Sequence, residues 1–214
     1  MNAEIRPRLQ ILILAAGFSS RLGRPKALAR VHGVSLLRRS LALMAQFTPA
    51  KIVVVVPRNH TRYQIEARGF KVVFATNSQR ADGLSSSVRR GIAQCAYSPA
   101  LLLLPVDLAE LRHRDVARLT SRWRAARRRV VVRRLGQPGG APHGRTARGG
   151  TPLVLPRWLY ARALRITGDV GLRELVAGLA PEQRVLVNLP SATLDVDTPE
   201  DLRAARRRLR RSSF

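Results

Sequence analysis

A chain of 214 residues, 45% of them hydrophobic, is long enough to bury a substantial core as one domain, or as one domain with a small lobe. Its 39 lysines and arginines against 13 acidic residues leave a formal charge of +26, a field that gathers polyanions such as nucleic acid, phosphorylated metabolites or an anionic membrane surface. Cys95 is the only cysteine, which excludes an intrachain disulfide and a cysteine-rich metal centre, and no apolar run approaches the roughly 18–20 residues of a membrane helix.

Residues 1–10 are charged and contain no signal-peptide core, so a cytoplasmic protein is the expectation. Residues 10–15 form the first apolar, β-branched run. Similar runs recur at 51–56, 71–75, 101–106 and 129–132, with the length and composition of strands buried on both faces. Helical spacing links Leu36, Leu37, Leu41 and Met44, and it returns at Tyr63 and Ile65, at Leu84, Val88 and Ile92, and at Val116, Leu119 and Trp123. Strand alternating with helix predicts a three-layer α/β fold, a mostly parallel sheet between two layers of helices. Such sheets bind ligands at the carboxyl ends of their strands. Residues 136–150, GQPGGAPHGRTARGG, are too rich in glycine and proline to be regular, so a flexible loop is expected over 135–150. A short strand at 152–155, helices around 159–166 and 171–179, a strand at 184–188 and a helix over 199–211 complete a single domain, 1–214, without internal repeats. Arginines are scattered over most of these helices, concentrated only at 122–134 and 203–211, and few aromatics are present to stack bases. That distribution argues against a dedicated nucleic-acid module.

Residues 12–26, LILAAGFSSRLGRPK, carry the most chemistry. Gly17 directly after a strand lets the backbone turn and lets a phosphate approach the amides of the loop. Arg21 and Lys26 add fixed positive charge, one as a planar fork and the other as a point charge, and Pro25 stiffens the chain between them. The spacing fits neither the Walker pattern nor G-x-G-x-x-G. From the residues alone, a phosphate loop and a plain turn with surface cations both stand.

The motif Leu14-Ala15-Ala16-Gly17-x-Ser19-x-Arg21-x-Gly23-x-x-Lys26 resembles the signature of nucleotidyltransferases related to molybdenum cofactor cytidylyltransferase and guanylyltransferase. Asn77 with Gly83-Leu84-Ser85-Ser86-Ser87 and Gly91, then Gly168-Asp169-x-Gly171, then Asp195-Val196-Asp197-Thr198-Pro199-Glu200-Asp201-Leu202 resemble three further motifs of that family, in the same order. The resemblance implies a Rossmann-like nucleotidyltransferase fold in which the loop from Leu14 to Gly23 wraps a triphosphate and Arg21 and Lys26 stabilise its charge. It also implies that Asp107, after the fourth strand, holds magnesium. A carboxylate at the end of an apolar strand suits a hard cation, and the same residue could cap the following helix. A second carboxylate is expected from Asp195 or Asp197, with Asp197 preferred; Thr198 to Asp201 also reads as a helix start with proline in its first turn. Ser85, Ser86 and Ser87 are either helix caps or nucleotide contacts, roles that coincide at a helix N-terminus. Asn77 is a candidate for reading base or ribose, or a turn residue.

The activity implied is magnesium-dependent transfer of a nucleotidyl group, CMP from CTP, to a phosphorylated acceptor of the molybdopterin type, with pyrophosphate leaving. The Ala15-Ala16-Gly17 version of the loop resembles the cytidylyl branch. Departures gather on the acceptor side: Val106-Asp107-Leu108-Ala109 and Gly150-Thr151-Pro152 differ from the family's turns, and Arg80 replaces a tryptophan. Two alternatives remain open, a cytidylyltransferase for another small phosphate and a nucleic-acid-binding or nucleotide-sensing protein without turnover. The basic carboxyl-terminal helix could meet a partner such as a molybdoenzyme.

Overall fold

The computed structural model describes residues 9–95, 97–135, 148–168, 171–192 and 194–209. Its centre is a seven-stranded sheet in the order β5-β4-β1-β6-β8-β7-β9, formed by β1 (Gln10–Leu14), β4 (Lys51–Pro57), β5 (Val73–Asn77), β6 (Ala100–Pro105), β7 (Val130–Leu135), β8 (Arg148–Pro156) and β9 (Arg184–Val187). β2 (Arg30–Val31) and β3 (Val34–Ser35) make a separate hairpin. The strands of the sheet run parallel except β8, which pairs antiparallel with both β6 and β7.

Period-two alternation on β1 builds both layers at once. Ile11 and Ile13 face a core shared with α1 (Leu36–Ala45), α2 (Thr61–Glu66), α4 (His113–Ala125) and α7 (Pro199–Arg208). Leu12 and Leu14 face the other core, with α3 (Leu84–Gln94), α5 (Tyr160–Ala163) and α6 (Gly171–Ala177). Among the described residues no helix is long and apolar enough to cross a membrane.

The three-layer α/β architecture agrees with the strand–helix alternation, and three local expectations need correction. The strand expected at 152–155 begins at Arg148, because pairing with β7 (Arg133↔Gly150, Arg134↔Gly149, Leu135↔Arg148) organises residues whose composition reads as loop. The remainder of that expected loop, 136–147, lies outside the described residues. β5 spans Val73–Asn77, two residues beyond the apolar run, since its register on β4 (Val53↔Val73 to Pro57↔Asn77) sets its ends. The hairpin β2–β3 is unexpected; His32 and Gly33 both take positive φ, 50° and 82°, as a tight two-residue hairpin turn requires.

Gly91 seats α3 against β1. A Cβ built there would lie 2.3 Å from Cδ1 of Leu12, a side chain with no exposed surface. Gly91→Val is therefore expected to cost about 1–3 kcal/mol through overpacking. A urea midpoint equal to that of the parent would show that the sheet yields at this point.

Candidate active site

The carboxyl ends of β1 and β6 open into a cleft of about 480 Å³. Its first wall is the segment after β1, anchored where the Ala15 amide donates to the Val55 carbonyl at 2.9 Å. Ser19 in the left-handed region (φ 57°) and Gly23 (φ 70°) bracket a 3-10 turn, Ser20–Leu22. The Lys26 amide donates to Ser19 Oγ at 3.0 Å, which closes the loop on itself. The turn is thus carried by Ser19 and Gly23. Gly17 has no positive φ, which corrects the turning role expected of it, and a Cβ there would meet open space. It lines the cleft, so its missing side chain leaves backbone accessible from the cleft.

Lys26 begins the turn Lys26–Leu28 and reaches across the cleft floor. Its Nζ donates to Asp107 Oδ2 at 2.9 Å and to Asp197 Oδ1, and Arg21 Nη2 donates to Asp197 Oδ2 at 2.7 Å. Burial works against the Lys26 charge, but Asp107 and Asp197 together outweigh it and hold the ammonium pKa above the ordinary lysine value.

Asp107 and Asp197 are 90 residues apart in sequence and meet through backbone pairing. Asp107 follows β6, and its carbonyl accepts from the Val196 amide at 3.0 Å, beside an antiparallel bridge between Leu108 and Asp195. Val196 is buried, while Asp195 and Asp197, flanking it at period two, line the cleft. The segment is held by the start of α7, where Thr198 and Asp201 form a capping box: Thr198 Oγ1 accepts from the Asp201 amide at 3.1 Å, and Asp201 Oδ2 accepts from the Thr198 amide at 2.8 Å.

Asp195 stands apart from the lysine network. Its nearest cation is Arg133, whose Nη1 lies 3.7 Å from Asp195 Oδ1 and donates to the Thr151 carbonyl. Burial, then the charge of Asp107, raise the Asp195 pKa above that of an ordinary aspartate, and Arg133 opposes them. Arg133 did not stand out in the sequence; an arginine closing an apolar β-branched run was its one signal. Among the described residues no cluster of three or more acidic, histidine or cysteine groups could hold a metal ion unaided. A cation at Asp107 and Asp197 would complete its shell with ligand oxygens and water.

The remaining candidates divide at α3. Gly83 (φ 83°) is the N-cap residue, so the three serines lie inside the first turn of the helix and none caps it. Ser85 and Ser86 donate back to the carbonyls of Asp82 and Gly83, at 3.3 and 2.8 Å. Asn77, 3% exposed, donates from Nδ2 to Ser86 and Ser87 at 2.8 and 3.0 Å and accepts from the Gln79 amide, so its polar atoms are committed within the fold. Asn77, Ser85 and Ser86 do not line the cleft, and Asn77 borders a neighbouring cavity beside Arg80, whereas Leu14, Ala15, Ala16, Gly17, Ser19, Arg21, Lys26, Ser87, Asp107 and Asp197 line the cleft. Gly23 shapes the loop without lining it. The Gly168 carbonyl accepts from the Ser85 amide at 3.2 Å, and Asp169 lies outside the described residues. Beyond Thr151 the cleft adjoins an apolar recess of about 310 Å³, lined by Leu14, Val88, Leu103, Val132 and Leu153 with Arg173 and Glu174.

Comparison with known proteins bears on the family and the fold. A probable molybdenum cofactor guanylyltransferase of Rhodopirellula baltica is 29% identical over 201 residues, 92% of this chain and 90% of the relative. The bifunctional enzyme IspD/IspF of Clavibacter michiganensis is 36% identical over 121 residues, 48% of this chain, and the match spans 28% of that longer protein. Among solved structures, Rv0371c of Mycobacterium tuberculosis shares the fold, with a TM-score of 0.72 at 23% identity over 94% of this chain and 98% of the other; its manganese complex gives 0.70 at 20%, over 94% and 100%. The MobA-like NTP transferase domain matches residues 11–185, a stretch that runs from β1 into β9 and includes the glycine-bearing loop, Lys26 and Asp107. The chain therefore belongs to the MobA-like NTP transferase family and is a nucleotidyltransferase.

Proposed function

We propose that this nucleotidyltransferase moves CMP from CTP to a phosphorylated acceptor of the molybdopterin type, with magnesium, and releases pyrophosphate. The observation that carries the reading is the single point between Asp107 and Asp197 at which both carboxylates meet one cation, Lys26 Nζ, beside a backbone loop open to phosphate. Two carboxylate oxygens facing one positive charge are a donor set that suits magnesium, which takes one or two carboxylates plus phosphate oxygens and water. Asp107 and Asp197 would hold it, and bound there it would neutralise triphosphate charge as a Lewis acid.

An acceptor phosphate is already ionised, so no protein base is needed. Its oxygen bonds to the α-phosphorus as the bond from that phosphorus to the bridging oxygen of pyrophosphate breaks, and the electron pair leaves with pyrophosphate. Arg21 and Lys26 stabilise the charge that collects on the leaving oxygens, and the amides of the Ala16 to Gly23 loop fix the triphosphate for in-line attack. The recess beyond Thr151, where Arg173 and Glu174 stand among apolar side chains, gives an acceptor room beside the cleft.

GTP is the second reading, favoured by the name of the Rhodopirellula relative, whereas the Ala15-Ala16-Gly17 loop favours CTP. Incubation with magnesium, each of the four triphosphates in turn and molybdopterin is expected to release pyrophosphate with CTP only when the acceptor is present. Duplex binding that falls steeply with salt, together with no triphosphate consumption, would sink the enzyme assignment.

A further inference from the structure

We propose that Arg80 reads the nucleobase, selecting a base that presents two adjacent hydrogen-bond acceptors on one edge. The inference deepens the nucleotidyl-transfer reading and rests on it. Arg80 opens the short turn Arg80–Asp82 between β5 and α3, and it lines the cleft together with Gly83, Leu84 and Ser87. Arg21 and Lys26 are bound to Asp197 and Asp107 at the loop. Arg80 is held in another way.

Its guanidinium lies over the ring of Phe18, 4.0 Å from the centroid, so the plane of the fork is set by an aromatic platform that is itself 59% exposed. Nη2 makes a long bond, 3.3 Å, to the Gly17 carbonyl. Nε is buried and has no hydrogen-bond partner among the described residues. With Nε closed off from the cleft, the terminal nitrogens form the edge of the fork that a ligand in the cleft would meet, and a guanidinium already held over Phe18 loses little freedom in meeting it.

A guanidinium offers two parallel donors. They match O2 and N3 of cytosine, or O6 and N7 of guanine, which are adjacent acceptor pairs. Adenine and uracil alternate donor and acceptor along their corresponding edges, so one half of the fork would oppose another donor. A lysine could supply the charge but not the geometry.

The test is calorimetric binding of CTP, GTP, ATP and UTP, each with magnesium, to the full chain and to Arg80→Lys, Arg80→Ala and Phe18→Leu. The parent is expected to bind CTP or GTP about 10- to 100-fold more tightly than ATP and UTP, the discrimination a bidentate base contact supplies. Both Arg80 variants should lose that factor for the preferred base and keep ATP and UTP affinity within about twofold, and Phe18→Leu should lose part of it. Retained ATP and UTP binding also shows that each variant is folded. Equal losses for all four triphosphates would assign Arg80 to phosphate or to the loop, and full discrimination in Arg80→Lys would make it a charge effect; either result overturns the inference. If the parent binds no triphosphate, the transfer reading fails and the inference goes with it.

Discussion

Asp107→Asn is expected to reduce pyrophosphate release by about a hundred- to a thousandfold or more while the protein stays folded. The substitution preserves shape and removes one of the two negative charges that meet at Lys26. The backbone of residue 107 is untouched, so its carbonyl still accepts the Val196 amide and the segment carrying Asp197 remains in place. Loss of rate should therefore appear without loss of the melting transition. Unchanged turnover in a folded variant would remove Asp107 from the reacting centre.

The second large effect concerns Lys26. Without ligand, its ammonium neutralises Asp107 and Asp197 from the point where a divalent cation would be met, so cation and lysine compete for the same oxygens. Lys26→Met leaves two facing carboxylates uncompensated. Manganese binding in the absence of nucleotide, followed by electron paramagnetic resonance, is expected to tighten by about tenfold or more, since one lost ion pair at this partly buried site is worth about a factor of ten. Turnover with nucleotide should fall by about a hundred- to a thousandfold, because the charge that stabilises the departing pyrophosphate has gone. Weaker or unaltered manganese binding in the variant would show that Lys26 does not stand in for the cation. In the intact protein the same competition is expected to couple metal to nucleotide: phosphates that draw Lys26 away from the carboxylates would favour the cation, and the cation would favour the phosphates by the same factor.

Asp195 shows how closely spaced acids can differ. Period-two geometry alone puts Asp195 and Asp197 on one side of an extended segment. Asp197 meets Arg21 and Lys26, whereas Asp195 lies nearest Arg133 and titrates above an ordinary aspartate because burial and Asp107 disfavour its charge. Reading DVDTPEDL could narrow the pair to a preference, and the cap formed by Thr198 and Asp201 was visible there because capping is local.

Other misjudged residues share one cause. The serines after Gly83 resemble caps in sequence, yet Gly83 takes that place and Asn77 draws two of the hydroxyls inward. Arg148 to Gly150 read as loop until β7 supplies their hydrogen-bonding partners. Arg80 stands out in the sequence only as a departure on the acceptor side, and Arg133 is one arginine among many. Phe18 and Asp195 distinguish them, one from a loop 62 residues earlier and the other from a segment 62 residues later.

What local pattern determines in this chain is substantial. Apolar runs of period two and helices of period 3.6 dictate a three-layer α/β sheet, because backbone geometry and burial act over a few residues, while glycine with basic residues after β1 leaves a phosphate loop and a plain turn both standing. Long-range pairing decides the rest. The antiparallel direction of β8, the meeting of Lys26 with Asp107 and Asp197, the inward commitment of Asn77 and the platform beneath Arg80 all join residues far apart in the chain. Such contacts depend on register and on which polar groups find partners first, and those are settled only when the sheet assembles and its surroundings lose water.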